Sequence, residues 1–358
     1  MATDYADRST DNPTVLVTGG TGHLGRWLLA RLTARGERVL VPIRRASERG
    51  DELRSFVRSL GGDGALLSIV EGDLDRPQLG LDEAALARLA SVRVVHHLGA
   101  RFAWGLTPAE AQRTNVEGSL RVVELAATMP SLERLVLVGG YRIAERLDRR
   151  GRRIPPEAIS LGRVGAYEAS KHAAHRECVR RAKELSVPYS AMHPATVIGD
   201  SRTGRTVQTT GLGETVLALA QGRLPARVGG KSVFVPIVAV DLVAEVLDRI
   251  ATDDEALGLE LTLFDPASPT LDGLLERAAR VLGVRAPSLR LPIGLVRLLP
   301  ESISKTSREA LEFLDDARYP HEATDAFLAR HGIAHPELEA TYEKWVRFLA
   351  ASVRPEAA

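Results

Sequence analysis

A single cysteine, Cys178, stands in 358 residues. With no second thiol there is no internal disulfide, and the count fits a reducing compartment. Net charge is nearly missing too: 47 basic and 46 acidic side chains leave +1. Such a chain carries no electrostatic footprint for nucleic acid or an anionic membrane surface. Long apolar runs are also lacking. The longest candidate, residues 291–300, is cut by Arg297 and bounded by prolines, well short of a membrane span. Residues 1–12 are polar and acidic, without the apolar core of a signal peptide, and read as a disordered leader. Together these absences predict a cytoplasmic protein with no membrane span and no nucleic-acid partner. The rest is ordinary for a globular chain, 44% hydrophobic and 26% charged. Its length can bury a large core, or one core plus a smaller lobe.

What is present is alternation. Short β-branched runs at 13–18, 38–43, 67–71, 92–97, 135–138 and 187–193 read as strands. Helical-period segments separate them. Residues 23–35 carry Leu24, Leu28, Leu29 and Leu32 on one face, and Thr107-Pro108-Ala109-Glu110 is a capping box with proline at the first helical position. A further helix is expected over 166–185. Strands joined through helices are parallel crossovers, so the fold class is α/β: a doubly wound parallel Rossmann sheet with a smaller, mostly helical C-terminal lobe. The sheet domain is expected over 13–200, with 233–265 returning to it. Residues 201–232 and 266–352 would then form the substrate lobe.

The first strand runs into Thr18-Gly-Gly-Thr-Gly-His-Leu-Gly25, with Gly19, Gly22 and Gly25 spaced G-x-x-G-x-x-G. Glycines there let the backbone turn tightly against a pyrophosphate, and the following helix offers free N–H groups and the positive end of its dipole. Gly19, Thr21, Gly22, His23, Leu24 and Gly25 are the expected cradle. The second strand ends in Arg44-Arg45, where an NAD site usually has a carboxylate for the ribose 2′-hydroxyl. Arginine suits a 2′-phosphate, so the expected cofactor is NADP(H), with Arg44 the contact. Asp73 and Leu74 follow the third strand, where a side chain could meet the adenine edge. The competing reading of Asp73 is a helix N-cap.

At Tyr167-Glu-Ala-Ser-Lys171 a family pattern emerges. With Thr18–Gly25, His97-Leu-Gly99-Ala100, Thr114-Asn115-Val116 and His193-Pro194, the chain resembles the extended short-chain dehydrogenase/reductases over roughly residues 14–265. The segment from Pro194 to Gly204 is most similar to the thioester-reductase and fatty-acyl-reductase branch. Residues i and i+4 share a helix face, so Tyr167 and Lys171 point the same way. A nearby ammonium lowers a phenol's pKa from about 10 towards neutrality, which suits Tyr167 as general acid to a carbonyl receiving hydride. The resemblance further implies that Lys171 holds the nicotinamide ribose, that Asn115 supports a proton relay or a local kink, and that Gly99, Pro194 and the backbone near Val197 face the cofactor. It also implies a homodimer paired through two long helices.

One position departs from the family. Relatives carry Ser or Thr just after the fifth strand, where a hydroxyl binds the substrate carbonyl; here Gly140 stands in Val138-Gly139-Gly140-Tyr141-Arg142. The Tyr141 hydroxyl, a backbone N–H or water could replace it, or the protein could bind NADP(H) without turnover. The substrate rim is expected from Arg101, Phe102, Trp104, Tyr141, Arg142, Arg202 and Arg205, and residues 291–299 could line an acyl channel or make a helix contact. No metal is expected: His96/His97 and His172/His175 are pairs without a third ligand. Cys178 reads as packing, and Asp241 as a helix-start residue. The leading reading is NADPH-dependent reduction of a small-molecule carbonyl or acyl thioester. A sugar-nucleotide epimerase or dehydratase, and a non-catalytic NADP(H) sensor, are the alternatives.

Overall fold

The computed structural model describes residues 12–102, 105–148, 150–154, 165–298 and 308–352. Seven parallel strands form the main sheet: β1 (Val15–Thr18), β2 (Val39–Ile43), β3 (Leu67–Glu71), β4 (Val94–His97), β5 (Arg134–Val138), β6 (Tyr189–Pro194) and β7 (Glu260–Leu263). Their spatial order is β7-β6-β5-β4-β1-β2-β3. The chain reverses direction across the sheet between β1 and β4, and doubly wound sheets bind ligands at that point, beyond the carboxyl ends of the strands. The six expected strands are all present, and a seventh, β7, pairs with β6 at the sheet's edge.

Helices on both faces explain why the strands are apolar along nearly their whole length. On one face α1 (His23–Ala34) and α6 (Val240–Ile250) bury Leu28, Leu29, Val246 and Leu247 against the sheet. On the other face lie α3 (108–126) and α4 (Ala166–Glu184), which bury Val122, Val123, Cys178 and Ala182. The helix α3 is not uniform. It starts at Pro108–Ala111 under the expected capping box, widens to a π-turn at Gln112–Glu117, and resumes at Gly118–Ala126. Such bulges concentrate at functional sites. A further helix, α2 (Ala46–Ser59), follows β2.

Beyond β6 the chain builds a second core from α5 (Leu212–Ala220), α7 (Leu271–Leu282) and α8 (Leu338–Ala351), around Val216, Leu274, Tyr342, Trp345 and Val346. Two small parallel ladders knit distant segments there: Thr196–Ile198 with Ile237–Ala239, and Arg227–Val228 with Arg290–Leu291. The acyl-channel candidate forms a short helix, Ile293–Leu298, with Val296 buried but Leu295 and Leu298 exposed; residue 299 lies outside the described residues. Among the described residues no helix is long and apolar enough to cross a membrane.

Candidate active site

The glycine turn after β1 is shaped by what crowds it. Gly19 adopts φ +74°, and a Cβ there would sit 2.7 Å from the backbone of Leu98 and Gly99. A Cβ on Gly25 would fall 2.3 Å from the Gly19 carbonyl and 2.7 Å from the Gly20 Cα, so α1 could not approach β1. A Cβ on Gly99 would fall 2.7 Å from Leu74 Cδ1, the movable end of a side chain. Backbone crowding demands glycine at Gly19 and Gly25, and the loops after β1, β3 and β4 converge around them. No side chain caps the N-terminus of α1, whose first turn has no acidic residue, so its free N–H groups fit a pyrophosphate. Within the cradle, the Thr21 carbonyl accepts from Arg26 Nε at 3.0 Å. His23 opens α1. Its buried ring stacks edge-on against Trp27 and bonds the Ile198 carbonyl at 3.3 Å, and burial lowers its pKa to about 4.

At the end of β2, Arg44 is exposed and has no ion-pair partner among the described residues. Arg45 takes a left-handed conformation, and the Glu71 carboxylate accepts from the N–H groups of Arg45 and Ala46 at 3.0 and 2.8 Å. Those two bonds hold Glu71 below the ordinary carboxylate range. A carboxylate thus serves this turn, but from β3 and on the backbone. Asp73 is half-buried and accepts from Asp75 N at 3.0 Å, an Asx turn rather than the helix cap weighed for it. Half-buried Leu74 packs on Gly99 and Gly118.

Tyr167 and Lys171 lie one turn apart on α4. Tyr167 is half-buried, its ring 4.7 Å from that of Phe102. Burial, then the Glu168 carboxylate, pushes the phenol above its usual pKa, not below as the Tyr–Lys spacing suggested. The reason is geometric: the Lys171 ammonium donates to the Val138 carbonyl at 3.1 Å. Burial lowers Lys171 to about 8.

Asn115 sits in the π-turn of α3 and is fully engaged. Its Oδ1 accepts from Arg101 N at 2.8 Å, and its Nδ2 donates to Ser170 Oγ at 2.9 Å and to Arg101 O at 3.3 Å. It therefore clamps the loop after β4 to α4. Of the two expectations for Asn115, the kink is visible; its side chain makes structural bonds.

The departure after β5 divides into two unlike glycines. A Cβ on Gly139 would lie 2.3 Å from His193 Nδ1, whereas one on Gly140 would meet nothing within 4 Å among the described residues. Among those residues Gly140 thus leaves room at the position where the family resemblance implies a hydroxyl. Tyr141 is buried edge-on against Tyr319 at 5.0 Å; burial pushes its phenol up to about 12, opposed first by the Arg142 charge. Arg142, expected at the rim, is buried. It bonds Glu168 at 2.7 Å and Asp315 at 2.8 Å, tying the loop after β5 to the start of α4. Arg205 is also misplaced by the sequence reading: it stacks on Phe56 and bonds Ser59, both on α2. Arg202 is exposed beside Asp200, and Arg101 pairs with Glu110. Trp104 lies outside the described residues. Pro194 ends β6, and half-buried Val197 packs near Leu24 and Trp27. Asp241, in the first turn of α6, accepts from Ser201 N and Oγ.

Two groupings escaped sequence reasoning. Thr18, His97 and Ser119 form a buried chain, with His97 Nδ1 2.7 Å from Thr18 Oγ1 and His97 Nε2 2.8 Å from Ser119 Oγ. The second is a trio: His175 Nε2 and His193 Nε2 both face Glu260 Oε2, at 3.1 and 3.4 Å. Donation from His175, then His193, holds Glu260 well below the carboxylate range. The three could surround a cation, but a metal-bound imidazole donates its other N–H to an acceptor. His193 Nδ1 is buried with no partner, pressed on Gly139. Two N–H donors on one carboxylate suit the trio better. The i, i+4 spacing of Lys171 and His175 was the available signal. Cys178 is buried, its thiol pushed up to about 12, and it packs rather than reacts.

Comparison with known proteins fits this architecture. The L-2-aminoadipate reductase large subunit of Penicillium chrysogenum is 28% identical over 285 residues, covering 70% of this chain and 19% of that protein. The chain spans about a fifth of the length of two of the fungal relatives it matches and about a twentieth of several others. Sterol demethylase protein B of Methylococcus capsulatus is 28% identical over 293 residues, 79% of each chain. Among solved structures, the terminal R domain from the myxalamid PKS-NRPS biosynthetic pathway superposes with a TM-score of 0.77 at 21% identity, covering 97% of this chain and 92% of that one. At that identity the likeness speaks for the fold alone. The NAD-binding family described as male sterility protein matches residues 17–247. Because that match runs from the end of β1 through all of β6, the chain belongs to this family, and with it to the extended short-chain dehydrogenase/reductases.

Proposed function

We propose that the protein is an NADPH-dependent reductase of a carbonyl or acyl-thioester substrate, with Tyr167 as general acid. The observation that carries this reading is the face of α4: Tyr167 and Lys171 lie on it one turn apart, beside the end of β5, where, among the described residues, Gly140 leaves open space. Gly19, Gly22, Gly25 and the N-terminus of α1 would hold the pyrophosphate, and Arg44 would meet the 2′-phosphate. Bound there, the cofactor supplies hydride. Lys171, with one N–H committed to Val138, has two left for the nicotinamide ribose and for solvent. Tyr167 gives its proton to the carbonyl oxygen as charge develops on it, and a high phenol pKa makes it a proton donor throughout the neutral range.

Three of the relatives are named as reductase or oxidoreductase, and the thioester class comes from the resemblance of residues 194–204 to the thioester-reductase branch. The space at Gly140 admits a water or a substrate hydroxyl as the second donor to the carbonyl. The unpartnered Arg44 argues against tightly held NAD, and so against an epimerase. Gly140 itself favours one other reading, a non-catalytic NADP(H) sensor. The test is NADPH oxidation with acyl-CoAs, aldehydes and ketones, comparing wild type with Tyr167→Phe. Turnover that is lost in the variant supports the reductase. Tight NADPH binding without turnover on any substrate supports the sensor, and turnover indifferent to the substitution removes Tyr167 from the mechanism.

A further inference from the structure

Tyr167 stands in the first turn of α4, and that turn has no capping side chain, since its N-cap is Gly165. The N-terminal turn of a helix is its least constrained part, because its backbone donors lack partners within the helix. A phenol that must meet a carbonyl oxygen therefore needs other ties. One is Ser170, whose Oγ donates to the Tyr167 carbonyl at 2.7 Å and accepts from Asn115 Nδ2. The other belongs to Glu168, the next residue along, whose Oε1 accepts from Arg142 Nε at 2.7 Å.

Arg142 reaches across a boundary in doing so. A second nitrogen of its guanidinium, Nη1, donates to Asp315 Oδ2 at 2.8 Å, and the group lies 4.9 Å over the ring of Phe313. Asp315 comes from the chain between α7 and α8, and it is itself held. Its Oδ1 accepts from Ala317 N at 3.0 Å, its carbonyl accepts from Phe234 N at 2.8 Å, and Arg146 pairs with Oδ2. A guanidinium is a rigid planar fork, so an anchored Asp315 on one arm fixes where the other arm holds Glu168. Glu168 has little else to hold it. Among the described residues its buried Oε2 has no hydrogen-bond partner, and His172 Nε2, one turn on, stands 3.9 Å from Oε1.

Stability does not account for this arrangement. The side chains of Arg142 and Glu168 are only 7% and 5% exposed. At such depth the attraction within an ion pair offsets its desolvation only in part, and apolar side chains of similar size hold a fold as well. What an apolar contact lacks is direction.

We propose that Arg142 is a positioning residue for the reduction: gripping Asp315 with one arm and Glu168 with the other, it locks the first turn of α4 so that Tyr167 meets the carbonyl oxygen. The proposal rests on the reductase reading. Arg142 acts through Glu168 on the residue before it, without touching substrate or cofactor.

The test measures kcat, KM, NADPH affinity and Tm for Arg142→Lys and Glu168→Leu, alone and combined with Tyr167→Phe. The substrate is whichever acyl-CoA, aldehyde or ketone turns over, and single-turnover assays read the residual rate of the Tyr167→Phe proteins. Arg142→Lys keeps the charge and loses the fork; Glu168→Leu removes the carboxylate while Arg142 keeps Asp315, and it carries the test if Arg142→Lys does not fold. Each is expected to lower kcat by about 10–100-fold with KM and NADPH affinity unchanged, as misplacement of a catalytic group does. In the Tyr167→Phe background neither lowers the rate further, because the group they position is already gone. A kcat within about twofold of wild type, or a fall repeated in the Tyr167→Phe background, overturns the positioning role. With Tyr167→Phe itself impaired, the reductase reading survives either result. If wild type does not oxidise NADPH, or Tyr167→Phe keeps its rate, the reductase reading falls and the positioning role with it.

Discussion

The two ends of the crevice are both built from glycine, for opposite reasons. At the dinucleotide end, Gly19 and Gly25 are pinned by backbone: a Cβ at either would come within 2.7 Å of it. At the carbonyl end, Gly139 is pinned by His193, but Gly140 faces open space among the described residues. The same residue type marks crowding in one place and a missing side chain in the other. On the proposed reading the dinucleotide end needs no further side chain, while the carbonyl end takes its second donor from water or substrate.

Several substitutions can break or sharpen that contrast. The largest effect is expected from Tyr167→Phe, which removes the proton donor: kcat falls by about 10²–10⁴ with NADPH affinity retained, read from steady-state kinetics and fluorescence titration. An undiminished kcat would leave the carbonyl end without its acid. At the dinucleotide end, Arg44→Asp deletes a charge-assisted contact and adds repulsion. NADPH binding should weaken by about 10–100-fold relative to NADH, and an unchanged preference would refute the 2′-phosphate assignment.

Glycine replacements test the contrast directly. Gly25→Ala should cost about 1–3 kcal/mol in a denaturant titration, because the Gly19 carbonyl and Gly20 backbone cannot yield. Gly140→Ser should leave stability within about 0.5 kcal/mol and raise kcat/KM, by no more than about tenfold since a stand-in donor already serves. Destabilisation by Gly140→Ser would show that the space is not free. The smallest effect concerns pH. Lys171 is lowered to about 8 in the fold against 10.5 unfolded. The folded state thus binds fewer protons between those values, and stability from this group rises with pH across that window. Lys171→Met should raise Tm at pH 7, with the gain shrinking as pH climbs from about 8 to 10.5.

Much of the fold was legible from pattern. Each expected strand lies within two residues or so of its position, because a strand buried on both faces reads as an uninterrupted apolar run. The capping box at Thr107 is realised in both directions, since it depends on four consecutive residues alone. The site was less legible. Arg142 and Arg205 carry the same charge and the same sequence prior as Arg101, yet one is buried in ion pairs and another stacks on Phe56. Nothing local distinguishes them. His175 and Glu260 are 85 residues apart, and only the pairing of β6 with β7 beside α4 brings them together.

The sequence by itself thus determined the strand-turn-helix that can cradle a dinucleotide and the shared face of Tyr167 and Lys171, because both are set by local geometry. The tertiary structure alone decided which glycines are crowded, and that burial raises Tyr167 instead of Lys171 lowering it. Those outcomes depend on desolvation and on contacts across the sheet, which neither composition nor spacing encodes.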